Sequence, residues 1–156
     1  MIKIAFLTDY PDTIPPLTQW FRDQWPEYFA GRTLSDIAQD FYAEANRDDI
    51  PLRLLAFIDD ELAGTITLRD QASSVLPNYH PGLGGLYVLE QHRGRGIGTE
   101  LVKAGMDLAQ EQGYERVYVE TVKARGIIER LGWKFVQTVS HDDEQSAIYC
   151  YELNHS

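Results

Sequence analysis

The chain has 156 residues and a formal net charge of −10, a length that suits one ordinary domain spanning residues 1–156 with room for a sizeable core. That acidic balance argues against nucleic-acid binding, which calls for a basic footprint, and no apolar run approaches the length of a membrane span; neither nucleic acid nor a membrane is expected as a partner. A lone cysteine, Cys150, excludes an internal disulfide framework and, with no charged-then-apolar leader, predicts a cytoplasmic protein.

Residues 2–7, IKIAFL, read as a first strand. Thr13 is placed to cap a helix that carries Pro15 and Pro16 in its first turn, where a missing N–H costs little. Leu17, Trp20, Phe21 and Trp25 form its apolar side, and Pro26 stops it. TLSD at 33–36 predicts a capping box opening a second helix, with Leu34, Ile37, Ala38, Phe41 and Ala45 on one face. These aromatics serve either the core or the wall of a substrate pocket. LRLLAFI and ELAGTITL flank Asp59-Asp60 and predict a β-hairpin. Residues 70–84 show no period, and an ordered loop of that length predicts a lid or a pocket wall.

The stretch YVLEQHRGRGIGTEL, residues 87–101, concentrates the chemistry. An apolar β-like run, GGLYVL, leads into Gly94, Gly96 and Gly98, and then Ile97, Leu101, Ala104, Gly105 and Leu108 recur at helical spacing until Gly113. A strand, a glycine-rich turn and a helix N-terminus bring unpaired N–H groups and the positive dipole end to one place, which is an anion site. A dinucleotide fingerprint starting at Gly94 would need glycine where Thr99 stands, and a P-loop fails at Thr99, Glu100 and Leu101 alike. What remains is Arg93-x-x-Gly96-x-Gly98. Beyond it come a strand over 116–120, a short helix near 124–131, and an antiparallel pair, WKFVQTV and SAIYCYEL, in which Cys150 reads as a small hydrophobe.

That loop and its flanks resemble the GNAT superfamily of acetyl-CoA-dependent N-acetyltransferases, whose motif is Q/R-x-x-G-x-G/A at the same junction. Ala124, Leu131, Gly132 and Trp133 fill the positions of the family's later motif. The resemblance implies an α/β (α+β) fold: a mixed, largely antiparallel central sheet of about seven strands, splayed between the fourth and fifth, flanked by four helices. It implies acetyl-CoA as cosubstrate, with no metal, held along Leu86, Tyr87 and Val88 and by Arg93, Gly94, Arg95, Gly96, Ile97, Gly98 and Thr99. The reaction implied is acetyl transfer to a primary amine in a ternary complex, with a backbone N–H of Leu86–Val88 as oxyanion donor.

Two departures bear on catalysis. The family's frequent tyrosine, a thiolate-protonating acid, is replaced by Ile128, and its frequent asparagine by Thr121. A non-catalytic acyl-CoA sensor is therefore the rival to an enzyme. Glu120 leads as general base because Tyr118 and Glu120 share one strand face and a carboxylate in a strand calls for a partner or a job; an ion pair to a nearby arginine is the alternative, and His80 is next as base. Residues 1–61 hold twelve acidic and five basic side chains, whereas residues 91–134 hold eight basic and six acidic. The acidic half suits either attraction of a cationic small-molecule amine or plain solubility. A homodimer is left open.

Overall fold

The computed structural model describes residues 1–73, 75–141 and 144–153, with the side chain of residue 141 outside the description. The strands are β1 (Ile2–Phe6), β2 (Leu52–Ile58), β3 (Glu61–Arg69), β4 (Gly82–Val88), β5 (Arg116–Thr121), β6 (Lys134–His141) and β7 (Glu144–Glu152). The helices are α1 (Ile14–Gln24), α2 (Leu34–Ala43), α3 (Ile97–Glu111) and α4 (Arg125–Arg130). All seven strands join one sheet in the order β1-β2-β3-β4-β5-β7-β6, antiparallel everywhere except between β4 and β5.

Local chemistry accounts for most boundaries. Thr33 accepts from the Asp36 N–H at 3.0 Å while its own N–H donates to Asp36 Oδ2 at 3.1 Å, the capping box expected at the start of α2. Asp59 and Asp60 both adopt positive φ, as a two-residue turn matched to strand twist requires. At α1 the cap differs from expectation. The Thr13 hydroxyl donates backwards to the Tyr10 carbonyl at 2.6 Å, so it closes the preceding turn rather than the helix.

The two faces of the sheet carry different partners. On one, α3 packs on Leu54, Ile66, Leu68, Leu83, Val117 and Val119 in an aliphatic core. On the other, α1 and α2 bury Leu17, Phe21, Ile37 and Phe41 against Leu55 and Phe57. Among the described residues, no helix is long and apolar enough to cross a membrane.

The long loop spans residues 70–81, since β4 already begins at Gly82. It is tied down rather than poised as a lid. Ala72 N–H bonds the Tyr79 carbonyl at 3.0 Å, the Tyr79 hydroxyl donates to Gln137 at 2.6 Å, and its ring sits 5.0 Å from that of Tyr118. The loop thus covers β5 and β6 on the face opposite α3.

Candidate active site

Strands β4 and β5 pair only at Gly82↔Tyr118 and Leu83↔Val119. Beyond those two residues they diverge, and the cause lies in β4. Opposite it, Thr65 pairs with Tyr87 and Thr67 with Gly84, so two steps along β3 face three along β4. This bulge falls at Gly85, whose φ of +57° suits glycine, and a bulge bends its strand. The split opens a cavity of about 920 Å³ that passes between the strands.

One end of the cavity is built from backbone. Gly94 and Gly96 take φ of +83° and +82°, and a Cβ on either would meet nothing within 4 Å, so the turn stays open to an incoming group. Gly96 is the N-cap of the 15-residue α3 and no side chain caps that end. The first amides of α3, with the dipole behind them, therefore point at the open space. Leu86, Tyr87, Val88, Arg93, Gly94, Gly96, Ile97, Gly98 and Thr99 all line the cavity, whereas Arg95 is exposed and lies outside it. Arg93 Nε donates to the Val88 carbonyl at 2.9 Å, which closes the turn and leaves its terminal nitrogens for an anion. Lys123 and Arg130 add positive charge from the opposite lip. Sequence reasoning missed His92, the buried residue beneath the turn, whose Nε2 lies 2.5 Å from Glu61 Oε1 and ties the loop to the β2–β3 hairpin.

The other end is built from side chains. Gln24 and Trp25 from the end of α1, Glu120 from β5 and Glu144 from β7 line the same cavity. Glu120 shares its strand face with Tyr118 while Val117 and Val119 are buried toward α3, as the alternation predicts. The Ser146 hydroxyl donates to the Glu120 carboxylate. Ile128, 1% exposed, also lines the cavity, so that position of α4 offers no proton donor. Thr121 lines it too and accepts from the Ala124 N–H at 2.9 Å, which fixes the start of α4.

Other candidates are not brought to the cavity. His80 Nδ1 sits 2.7 Å from the Asp70 carbonyl and 2.9 Å from its carboxylate, with its ring against Tyr114. Cys150 is half-buried beside Tyr118 and Glu152, and burial pushes its thiol above the ordinary value. Among the described residues, no three His, Cys, Asp or Glu side chains come together as a metal site.

An anion cradle, a channel between strands and a carboxylate at the far end can hold a phosphorylated carrier and present its other end to a nucleophile. Comparison with known proteins agrees. Residues 14–133 match the acetyltransferase (GNAT) family. Human N-acetyltransferase 8B is 29% identical over 124 residues, and the chain spans about half, 53%, of its length while the match covers 74% of this chain. Among solved structures, yncA of Salmonella typhimurium, crystallised with its cofactor acetyl-CoA, superposes with a TM-score of 0.78 at 14% identity, covering 100% of this chain and 96% of that one. An aminoglycoside 6'-N-acetyltransferase complexed with coenzyme A gives 0.78 at 18% identity over 99% and 98% of the two chains. The aminoglycoside 6'-N-acetyltransferase of Enterococcus faecium gives 0.74 at 19% over 100% and 98%. With the glycine loop, the bulged fourth strand and the split sheet already in place, the match over residues 14–133 establishes that this chain belongs to the acetyltransferase (GNAT) family.

Proposed function

We propose that this GNAT-family protein transfers the acetyl group of acetyl-CoA to a primary amine of a small molecule, by direct attack in a ternary complex. The observation that carries the reading is the continuous cavity from the glycine loop to Glu120 through the split between β4 and β5. The uncapped amides of α3 and the turn at 93–99 hold the pyrophosphate, and the β4 backbone at Leu86–Val88 runs along the pantetheine arm. Solved relatives that contain acetyl-CoA or coenzyme A support this assignment.

The amine nitrogen attacks the thioester carbonyl carbon, the carbon–sulfur bond breaks, and the sulfur leaves as thiolate. The backbone at the bulge supplies an N–H for the developing oxyanion. Glu120 takes the proton the amine must lose, and the thiolate is protonated by water, since Ile128 carries no acid. Holding both reactants in one cleft is worth roughly 7–11 kcal/mol for well-oriented groups. The aminoglycoside acetyltransferases among the structural relatives support a small amine as acceptor. One unpaired cysteine is compatible with a cytoplasmic setting.

Ile128 is also the observation behind a second reading, an acyl-CoA-binding sensor without turnover. A panel of primary amines assayed for free coenzyme A separates the two. Some amine raises thiol release above thioester hydrolysis if the protein is an enzyme; stoichiometric acetyl-CoA binding with no acceleration by any amine assigns it as a sensor.

A further inference from the structure

On the face opposite α3, two arginines stand near one another and only one has a carboxylate partner. Arg53, 3% exposed, donates to Glu44 through Nε at 2.5 Å and Nη2 at 3.3 Å, and through Nη1 to Thr65 at 3.0 Å. Phe21 and Phe41 flank it at 5.1 and 4.9 Å. Arg69, the last residue of β3, donates through Nε to the Gln71 carbonyl at 3.1 Å. Among the described residues, no carboxylate lies within ion-pair distance of it.

The Arg69 guanidinium lies across Gly84. A Cβ at Gly84 would fall 2.3 Å from both Cζ and Nη2, so only glycine leaves room for it there. Gly84 lines the cavity, and the parallel register that pairs Gly82 with Tyr118 carries Glu120 level with Gly84 across the split. Burial and the neighbouring Arg53 hold Arg69 below the ordinary arginine value, while Tyr28, Glu44 and Glu120 act in the opposite sense. Arg69 is itself partly exposed. A half-buried cation with no ion-pair partner, packed on a glycine that lines the cleft, favours an anion on the ligand.

We propose that the acceptor is a primary amine that also carries a carboxylate, an amino-acid-like zwitterion, with its acid on Arg69 and its amine at Glu120. The proposal rests on the acetyl-transfer reading above and narrows its substrate class. The acid of such a ligand has Arg69 to meet, and its ammonium has Glu120 together with Glu144, which lines the same end of the cavity. A phosphorylated amine would bring excess negative charge beside Glu120, and a polycation would leave Arg69 uncompensated. The guanidinium fork suits a carboxylate in a bidentate pair.

The test uses amino acids paired with their decarboxylated amines, such as lysine with cadaverine and phenylalanine with phenethylamine, assayed on the wild-type protein, Arg69→Gln and Arg69→Lys. The wild-type protein prefers the acid of a pair by roughly 10- to 100-fold in kcat/KM, the scale of a charged hydrogen bond. In Arg69→Gln that ratio collapses toward one through KM, acetyl-CoA affinity is retained, and Arg69→Lys recovers part of the preference. Equal or better turnover of the decarboxylated member by the wild-type protein overturns the proposal and keeps acetyl transfer. Where neither member turns over, calorimetry of the same amino acids with the protein saturated with coenzyme A decides. Saturable binding weakened in both variants keeps the carboxylate seat, whereas no binding overturns it, and the amine panel above then decides acetyl transfer separately.

Discussion

On the α3 face of the sheet the buried side chains of β2, β3 and β4 are aliphatic: Leu52, Leu54, Ile66, Leu68 and Leu83. On the opposite face the same strands bury Arg53, Thr65 and Thr67 beside an aromatic layer of Phe21, Phe41 and Phe57. The Thr65 and Thr67 hydroxyls donate to the carbonyls of Leu54 and Leu52, and Arg53 donates to Thr65, so the polar stripe is joined by hydrogen bonds rather than merely tolerated. The coenzyme end, by contrast, presents backbone amides and glycine. A ligand that never varies can be held by groups every residue possesses. A face built from particular side chains suits a ligand that must be told apart from others, because discrimination comes from buried polar groups that a wrong partner leaves unpaired.

That contrast can be broken at either end. The largest effect is expected from Glu120→Gln, which preserves shape and removes the carboxylate: turnover falls by about 10²- to 10⁴-fold while acetyl-CoA affinity measured by calorimetry holds. Unchanged turnover would return Glu120 to the structural bond it accepts from Ser146. Glu44→Gln tests the polar stripe itself. Arg53 loses its carboxylate inside a buried cluster, and urea unfolding should show a loss of about 3–5 kcal/mol.

Gly96→Glu probes the backbone cradle. A side chain at φ +82° costs roughly 1–2 kcal/mol, and its negative charge stands where phosphate is expected. Acetyl-CoA affinity should fall by about 100-fold with circular dichroism unchanged, since no atom lies within 4 Å of that Cβ. Ile128→Tyr should change turnover by less than about threefold, in either direction, because the added acid arrives with crowding at a position only 1% exposed. The smallest signal concerns Cys150. Burial first, then the Glu152 charge, raises its thiol, which disfavours the thiolate. Alkylation by iodoacetamide at neutral pH should therefore be slower than for free cysteine and should accelerate as pH rises past the usual thiol range. Labelling as fast as free cysteine would contradict that environment.

The coenzyme end was legible because its signals are local. Positive φ at Gly94 and Gly96, the amphipathic period of α3 and the Thr33–Asp36 capping box each depend on a few neighbouring residues. Arg95 is exposed and is not among the residues lining the cavity, whereas its neighbours Gly94 and Gly96 are. His80 is a residue type suited to proton transfer but precedes β4, whereas the glycine loop follows it, a strand length of roughly 20 Å away. Arg69 could not be placed from sequence, because its position over Gly84 depends on the register between β3 and β4 beside the bulge at Gly85. The signal was present in ELAGTITLR, where polar residues at 65, 67 and 69 alternate with apolar ones, but alternation alone does not say what lies across the strand.

The two-residue pairing of β4 and β5 has a consequence for the protein before it meets its ligand. Past Leu83 and Val119 each strand has a bare margin inside the fold, with peptide groups of the kind that at a sheet's outer rim invite a foreign strand. On the proposed function, a bound pantetheine arm, itself built of amides, would occupy that seam like a substitute strand. Occupancy and cohesion are then linked: at a ligand concentration 100 times Kd the folded form gains about 2.7 kcal/mol. The melting temperature would then be a gauge of coenzyme supply.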